Sequence, residues 1–185
     1  MISVPLSRYL LFFGVAAAAA AWDLATKSWV FTWLGPPGNG RNIYWIFPDV
    51  LALATHYNEG ALFGMGQGLN FVFAALSVVA ACGIVYWLFV RKAARDARLT
   101  LALALITAGI LGNLYDRLGL HGFVNAQGDP VYAVRDFIHW VYLFEWPIFN
   151  FADSFLVTGA SLLFLLSFLT PSSRHEADPE GSDSL

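Results

Sequence analysis

The sequence predicts an all-α integral membrane protein with four transmembrane helices. Of its 185 residues, 58% are hydrophobic and only 12% are charged, which is more apolar than the surface of a soluble domain tolerates. Crossing about 30 Å of hydrocarbon takes roughly 20 helical residues. Four apolar stretches reach that length, and they run approximately over residues 9–30, 69–90, 99–118 and 148–170.

The first stretch could also be a secretory signal peptide, because it follows Arg8 and contains a run of alanines before Trp22. Asp23 and Lys27 continue the same helix at the point where a cleavage site would give way to a mature chain. Their spacing places them on one helical face, beyond the membrane midplane from Arg8. This favours a retained first transmembrane helix.

The basic residues predict how the helices are oriented. Six basic residues that flank the predicted spans fall on the same side of the membrane: Arg8, Arg91, Lys92, Arg95, Arg98 and Arg174. By the positive-inside rule, both termini are then cytoplasmic. Residues 1–170 form the transmembrane domain, and the polar tail 171–185 is expected to be disordered in the cytoplasm.

The two outer connections, residues 31–68 and 119–147, are too apolar and aromatic for free loops. In the first, the stretch "IYWIFPDVLALATHYNEGALFGM" is interrupted by Pro48 and Gly60, which favours short strands or re-entrant structure over a span. In the second, "FIHWVYLFEWP" has the same aromatic character and is expected to lie along the membrane surface.

Polar residues in or beside the membrane all fall on the outer side. In the third span, glycines and polar residues at helical spacing share one stripe: Gly109, Gly112, Asn113, Asp116 and Arg117. The fourth span carries Asn150 and Asp153 on one face, and the outer connections contribute Asn58 and Asp136. Each motif alone could be a packing device, for example an Asp116–Arg117 pair, but their clustering on one side predicts a functional site.

The residue types in this cluster point to acid–base chemistry by carboxylates. No histidine has an evident serine or cysteine partner, the single Cys82 lies elsewhere, and no zinc-type H-E-x-x-H motif occurs. No cofactor or nucleic-acid partner is indicated. Two aspartates that share a site cannot both ionise cheaply, so one can act as base while the other donates a proton. Periodicity alone leaves the pair open among the acids on this side: Asp23, Asp49, Asp116, Asp136 and Asp153.

Five motifs in order, "DLATK", "YNEGALFG", "GNLYDR", "VRDF" and "FNFADS", resemble those of the bacterial lipoprotein signal peptidases (signal peptidase II). The resemblance implies an aspartic endopeptidase of the bacterial inner membrane. Such an enzyme removes signal peptides from prolipoproteins by cutting before the diacylglyceryl-modified cysteine of the lipobox. It also implies an active site at the periplasmic face, a small β-cradle and a surface helix there, contact with membrane lipid, and inhibition by globomycin-type cyclic peptides.

On the matching positions, the resemblance implies Asp136 and Asp153 as the catalytic dyad. It implies supporting or substrate-binding roles at further polar and small residues: Asp23, Lys27, Asn58, Gly60, Gly109, Asn113, Asp116, Arg117, Phe149, Asn150 and Ala152. Three features depart from the family pattern. Arg135 stands where a small apolar residue is usual, Leu62 replaces a commoner alanine, and the 118–133 connection is longer than usual. A cation beside Asp136 is expected to favour its ionised form.

Two other functions fit an intramembrane acid cluster: a proton-coupled transporter component, or a noncatalytic scaffold in which the charges only pair. Transporters typically show internal repeats and polar groups near the midplane. This sequence shows no repeat, and its polar residues are one-sided. The scaffold predicts no effect from exchanging Asp for Asn.

Overall fold

The structure is a computed structural model that describes residues 3–38, 43–60, 66 and 68–169. That part of the chain contains four helices and three strands, in this order: α1 Leu6–Leu34, β1 Ile43–Phe47, β2 Leu51–Asn58, α2 Asn70–Val85, α3 Ala97–Arg117, β3 Val134–Trp140 and α4 Phe151–Leu169. A π-helical turn, Tyr86–Val90, continues α2.

The four predicted helices are confirmed, and each is long and apolar enough to cross a membrane. α1 is longer than expected: its 29 residues extend about 43 Å at roughly 1.5 Å per residue, beyond the hydrocarbon layer at one end. α3 is the most buried of the four and packs against the other three. Large apolar side chains such as Val79 and Phe168 are exposed, as expected of surfaces that face lipid.

Small residues let α3 and α4 approach closely. A Cβ atom added at Gly109 would meet the backbone carbonyl oxygen of Ala152, and one added at Gly159 would lie 2.6 Å from the carbonyl oxygen of Ala102. Interfaces of this kind bring helix backbones together in lipid, where packing replaces the hydrophobic effect as the driving force.

A three-stranded antiparallel sheet of order β1-β2-β3 lies beside the helices, so the fold is helical with a small sheet and not all-α. The short strands expected in the first outer connection are confirmed at β1 and β2. In the second pair of strands His56 lies opposite Asp136, and Asn58 lies opposite Val134. Apolar contacts among Val30, Phe31 and Phe137 join β3 to the end of α1.

The aromatic segment after the third span contains a strand that the sequence does not predict. Its first part is strand β3, and residues 118–150, all of them described, contain no helix, so the surface helix is not found in this connection. The reason is tertiary: β3 pairs with β2 on one edge, while on the other edge the N–H groups of Phe137 and Ile138 donate to the carbonyl of Phe149. The predicted tail lies outside the described residues.

Candidate active site

Asp136 and Asp153 line one cavity of about 700 Å³ at the junction of the sheet with α3 and α4. Asp136 lies on β3 and is 1% exposed, while Asp153 lies in the first turn of α4 and is half-buried. The two residues are 17 positions apart in sequence, and the fold brings both to one cavity. The cavity therefore holds two acids that can act on one bound molecule.

The local sequence explains how a helix with an acid in its first turn begins at this point. Asn150 precedes α4, and its side-chain oxygen accepts a hydrogen bond from the Asp153 N–H at 3.0 Å. In return, the Asp153 Oδ2 accepts one from the Asn150 N–H at 3.1 Å. This is a capping box, which satisfies two backbone donors at the helix start. Asp153 is therefore held in place by its own helix.

Three asparagines direct N–H donors at the two carboxylates. Asn58 Nδ2 donates to Asp136 Oδ2 at 3.0 Å, Asn150 Nδ2 donates to Asp136 Oδ1, and Asn113 Nδ2 donates to Asp153 Oδ1 at 2.8 Å. With the Asn150 backbone bond to Asp153 Oδ2, all four carboxylate oxygens accept an N–H bond. The carboxylates are therefore fixed in position before any substrate arrives.

The orientation of each amide follows from what its oxygen accepts. The Oδ1 of Asn58 accepts from the Gly60 N–H at 3.0 Å, so the NH₂ group must face the acid. The Oδ1 of Asn113 accepts from Lys27 Nζ at 2.9 Å and from Asn150 Nδ2 at 3.1 Å, with the same consequence. An ammonium group has only donors, so Lys27 sets the direction of the Asn113 amide.

A buried ionic cluster lies beneath this wall. Lys27 Nζ is 2.7 Å from Asp23 Oδ2 and 3.3 Å from Asp116 Oδ2. Arg135 Nη2 is 2.8 Å from Asp116 Oδ1, and all four side chains are at most 1% exposed. Two cations and two anions balance, as buried charges must if they are to remain ionised.

Asp116 does not pair with Arg117, so the interpretation of these two residues as a packing pair is wrong. Neighbouring residues on a helix point about 100° apart, and only Asp116 faces α1 and β3. Arg117 instead lines the cavity and donates from Nη2 to the Gly60 carbonyl at 3.2 Å. The Asp23–Lys27 pair exists, but it also reaches α4, because Asp23 Oδ1 accepts from the Ala152 N–H at 2.8 Å.

The pKa of Asp136 is raised to about 8, first by burial and then by the nearby negative charge of Asp153. The hydrogen bonds from Asn58 and Asn150 act in the opposite direction and are outweighed. The pKa of Asp136 is thus raised although Arg135 is its neighbour in sequence, whose guanidinium is engaged by Asp116. Burial and the neighbouring acid therefore favour the protonated form of Asp136.

Asp49, one of the five candidate acids, lies exposed in the turn between β1 and β2 and does not line the cavity. Of the residues implied by the resemblance, one group meets at the cavity: Asn58, Gly109, Asn113, Arg117, Asp136, Phe149 and Asp153. The others lie behind it: Asp23, Lys27, Asp116, Asn150 and Ala152 in the supporting network, and Gly60 beside Arg117. None of the implied residues is remote from the cluster.

Sequence reasoning missed His56 and the apolar side of the cavity. His56 lines the cavity opposite Asp136, and partial burial lowers its pKa below the ordinary value, which favours the neutral imidazole. Leu156, Val157 and Ala160 extend the wall along α4, away from the sheet. The period-two alternation that places His56 and Asn58 on one strand face could have found the histidine; the apolar wall is indistinguishable in sequence from any lipid-facing surface.

Fold and site together define a multi-pass membrane protein whose two carboxylates share a cavity at one end of a helix bundle. The sequence profile of the family described as "Signal peptidase (SPase) II" matches residues 15–169. The chain belongs to this family, and is therefore a membrane protease. A transporter or scaffold role is not favoured.

Relatives and solved structures agree with this assignment. A Rhodopirellula baltica protein named lipoprotein signal peptidase is 49% identical over 177 residues, covering 94% of this chain and 79% of that protein. One of the same name from Rhodococcus jostii is 34% identical over 164 residues, covering 88% and 74%. A solved bacterial membrane enzyme is similar with a TM-score of 0.69 and 26% identity, covering 90% of this chain and 92% of that chain.

Proposed function

We propose that this chain removes the signal peptides of bacterial prolipoproteins, and that it does so as an aspartic endopeptidase with Asp136 and Asp153 as the dyad. Its relatives carry the name of lipoprotein signal peptidase, which gives the substrate class. The observation that carries the mechanism is that two acids from β3 and α4 line one cavity with all four oxygens held by N–H donors.

The raised pKa of Asp136 supports the division of roles within the dyad. Asp153 takes a proton from a water molecule, whose oxygen attacks the scissile carbonyl carbon, while protonated Asp136 donates a hydrogen bond to the carbonyl oxygen. In the second step a proton passes to the peptide nitrogen, the C–N bond breaks, and an acid and an amine leave. The carboxylates end with the proton count at which they began.

The apolar side of the cavity supports a substrate that comes from the membrane. Ile110 on α3 and Leu156, Val157 and Ala160 on α4 continue the cavity from Asp153 along the helices. A signal peptide and the acyl chains of a diacylglyceryl-cysteine are apolar and lie in the bilayer, so they match this wall. When the acyl chains lie on this wall, the peptide bond before the cysteine lies next to the two carboxylates.

Arg117, Asn58 and Asn150 are proposed to orient the substrate backbone and the dyad. The Arg117 guanidinium lines the cavity, holds the Gly60 carbonyl at 3.2 Å, and keeps further N–H groups for a substrate carbonyl. Asn58 and Asn150 already donate to Asp136. Loss of Arg117 is expected to raise KM, and loss of either asparagine to lower kcat.

The distribution of charge supports a topology in the bacterial inner membrane with the active site at the periplasmic face and both termini in the cytoplasm. The connection that carries Arg91, Lys92, Arg95 and Arg98 lies between α2 and α3, at the opposite end of the bundle from the cavity. Residues 1–170 then form the peptidase domain, and residues 171–185 a cytoplasmic tail.

The test is cleavage of a diacylated lipobox peptide by the purified protein in detergent, with and without a globomycin-type cyclic peptide. Asp136→Asn and Asp153→Asn should each abolish release of the signal fragment while the protein stays folded. Asp96→Asn is the matched control, because Asp96 is an exposed carboxylate that caps α3 and asparagine caps equally well. Full activity in either dyad variant would contradict the proposal.

A second arm separates the substrate class from the chemistry. The same peptide without its acyl chains should be cleaved far more slowly, because it lacks the groups that match the apolar wall. Equal rates for the two peptides would leave an aspartic peptidase without the proposed preference for a lipid-modified substrate.

A further inference from the structure

Arg135 is a buried cation next in sequence to Asp136. Its side chain is 1% exposed, and its Nε and Nη2 donate to Asp116 Oδ1 at 3.0 and 2.8 Å. Its Nη1 donates to Ser28 Oγ on α1 at 3.2 Å. Burying a guanidinium is costly unless such partners satisfy it, so this arrangement is specific to arginine.

Aromatic rings cover the Arg135 guanidinium. Its central carbon lies 6.0 Å from the ring of Phe31 on α1 and 5.9 Å from the ring of Phe123 in the 118–133 connection. Cation–π contacts of this kind stabilise a desolvated guanidinium. One side chain therefore joins α1, α3, β3 and the long outer connection.

The Asp116 carboxylate also binds the backbone of β3. The backbone N–H of Arg135 donates to Asp116 Oδ2 at 3.0 Å, and on the other side of Asp136 the Phe137 N–H donates to the Phe149 carbonyl at 3.0 Å. Both neighbours of Asp136 are thus fixed to other elements. The Asp136 carboxyl has little freedom to move with its strand.

The charge balance of the cluster depends on Arg135. Without it, Asp23 and Asp116 would share the single ammonium of Lys27, which already lies 3.3 Å from Asp116. Lys27 would then be drawn toward Asp116 and away from Asn113 Oδ1, which it now contacts at 2.9 Å. An Asn113 amide without this donor has only the Asn150 Nδ2 bond, at 3.1 Å, to hold its oxygen away from Asp153, and an oxygen turned toward that carboxylate would bring two acceptors together.

We propose that Arg135 is a positioning residue for the dyad: by satisfying Asp116 it leaves Lys27 to orient the Asn113 amide toward Asp153, and it fixes the strand that carries Asp136. This rests on the proposed function, since it assigns Arg135 an effect on the same two carboxylates. Arg135 touches neither the substrate nor the dyad side chains and acts through Asp116.

The test compares kcat and KM for Arg135→Lys, Arg135→Gln and the double variant Arg135→Gln/Asp116→Asn. A misplaced dyad lowers kcat and leaves ground-state binding unchanged, so we expect Arg135→Gln to lose about 100-fold in kcat with KM within about 3-fold of wild type. Arg135→Lys keeps the charge but lacks the planar pair of donors, Nε and Nη2, that bind Asp116, and its kcat should fall about 10-fold.

The double variant is the decisive measurement. Removing the Asp116 charge as well restores neutrality to the remaining Asp23–Lys27 pair, so we expect kcat about 5-fold above that of Arg135→Gln alone. If Arg135 only packs, the losses in kcat from its substitution and from Asp116→Asn multiply, and the double variant has the lowest kcat of the set. That result, or a change confined to KM, would overturn the proposal.

Arg98→Gln is the control, because Arg98 also pairs with an aspartate, at 3.3 Å, but is 68% exposed at the other end of α3. It should match wild type in kcat and KM. Thermal unfolding in detergent identifies variants that do not fold. If Arg135→Gln does not fold, the test rests on Arg135→Lys. A wild-type kcat in folded Arg135→Lys then overturns the proposal, and a 10-fold loss in kcat with constant KM supports it. Failure of the dyad assignment is separately visible, as activity in Asp136→Asn.

Discussion

Gly109→Ala tests whether the closeness of α3 and α4 is what holds the site together. A Cβ atom at this position would meet the Ala152 carbonyl oxygen and lie 2.6 Å from Leu156 Cγ, whereas ordinary contacts begin at 3.4 Å. The two helices must therefore separate by about 1 Å to admit it. The Asn113 Nδ2 to Asp153 Oδ1 bond, now 2.8 Å, spans the same interface and would lengthen beyond hydrogen-bonding distance.

Two magnitudes follow from that separation. Overpacking costs about 1 to 3 kcal/mol, and the gain from replacing a helical glycine offsets roughly 0.5 to 1 kcal/mol, so stability falls by at most about 2.5 kcal/mol. Displacing one acid by about 1 Å lowers the rate roughly 100-fold. Activity should thus fall by much more than the loss of folded protein explains.

The assay pairs thermal unfolding in detergent with kcat for the diacylated peptide, using two other glycines as controls. Gly83→Ala on α2 has nothing within 4 Å of the new atom and should stabilise slightly with unchanged kcat. Gly159→Ala has the same tight contacts as Gly109 but lies nearly two turns beyond Asp153, so it should lose stability and keep most activity. Wild-type kcat and stability in Gly109→Ala would refute the reasoning.

Three further predictions concern the buried charges and can be measured on the same preparations. Lys27→Met removes the ammonium shared by Asp23 and Asp116, and the free energy of unfolding should fall by about 3 to 5 kcal/mol, seen as a lower unfolding midpoint; an unchanged midpoint would argue against the cluster. Asn58→Leu removes a donor that lowers the pKa of Asp136, so the alkaline limb of the rate profile should move to higher pH, and a shift to lower pH would contradict the bond. Because the pKa of Asp136 is raised from 3.8 to about 8 on folding, its contribution to stability is full below about pH 4 and is lost as the pH rises through about 8. Unfolding midpoints measured across that window should fall with pH in wild type and fall less in Asp136→Asn; parallel curves would show that the raised pKa is wrong.

The sequence predicts the helices well because lipid allows few alternatives. A chain that crosses hydrocarbon must satisfy its backbone within one segment, so length and apolarity alone identify α1 to α4. The helical period also placed Asn113 and Asp116 on the face that turns inward. Segments at the membrane boundary have water available and are less constrained, which is why the sequence does not predict the strand around Ile138.

The sequence by itself determined that acids and amides gather at one end of a four-helix bundle, since periodicity and hydropathy act within each segment. Only the tertiary structure decided which charges meet. Asp116 pairs with Arg135 from a strand nineteen residues away rather than with its neighbour Arg117, and the pKa of Asp136 is raised because burial outweighs its hydrogen bonds. Both outcomes depend on distances and exposure between elements that are remote in the chain, and local patterns carry no information about these.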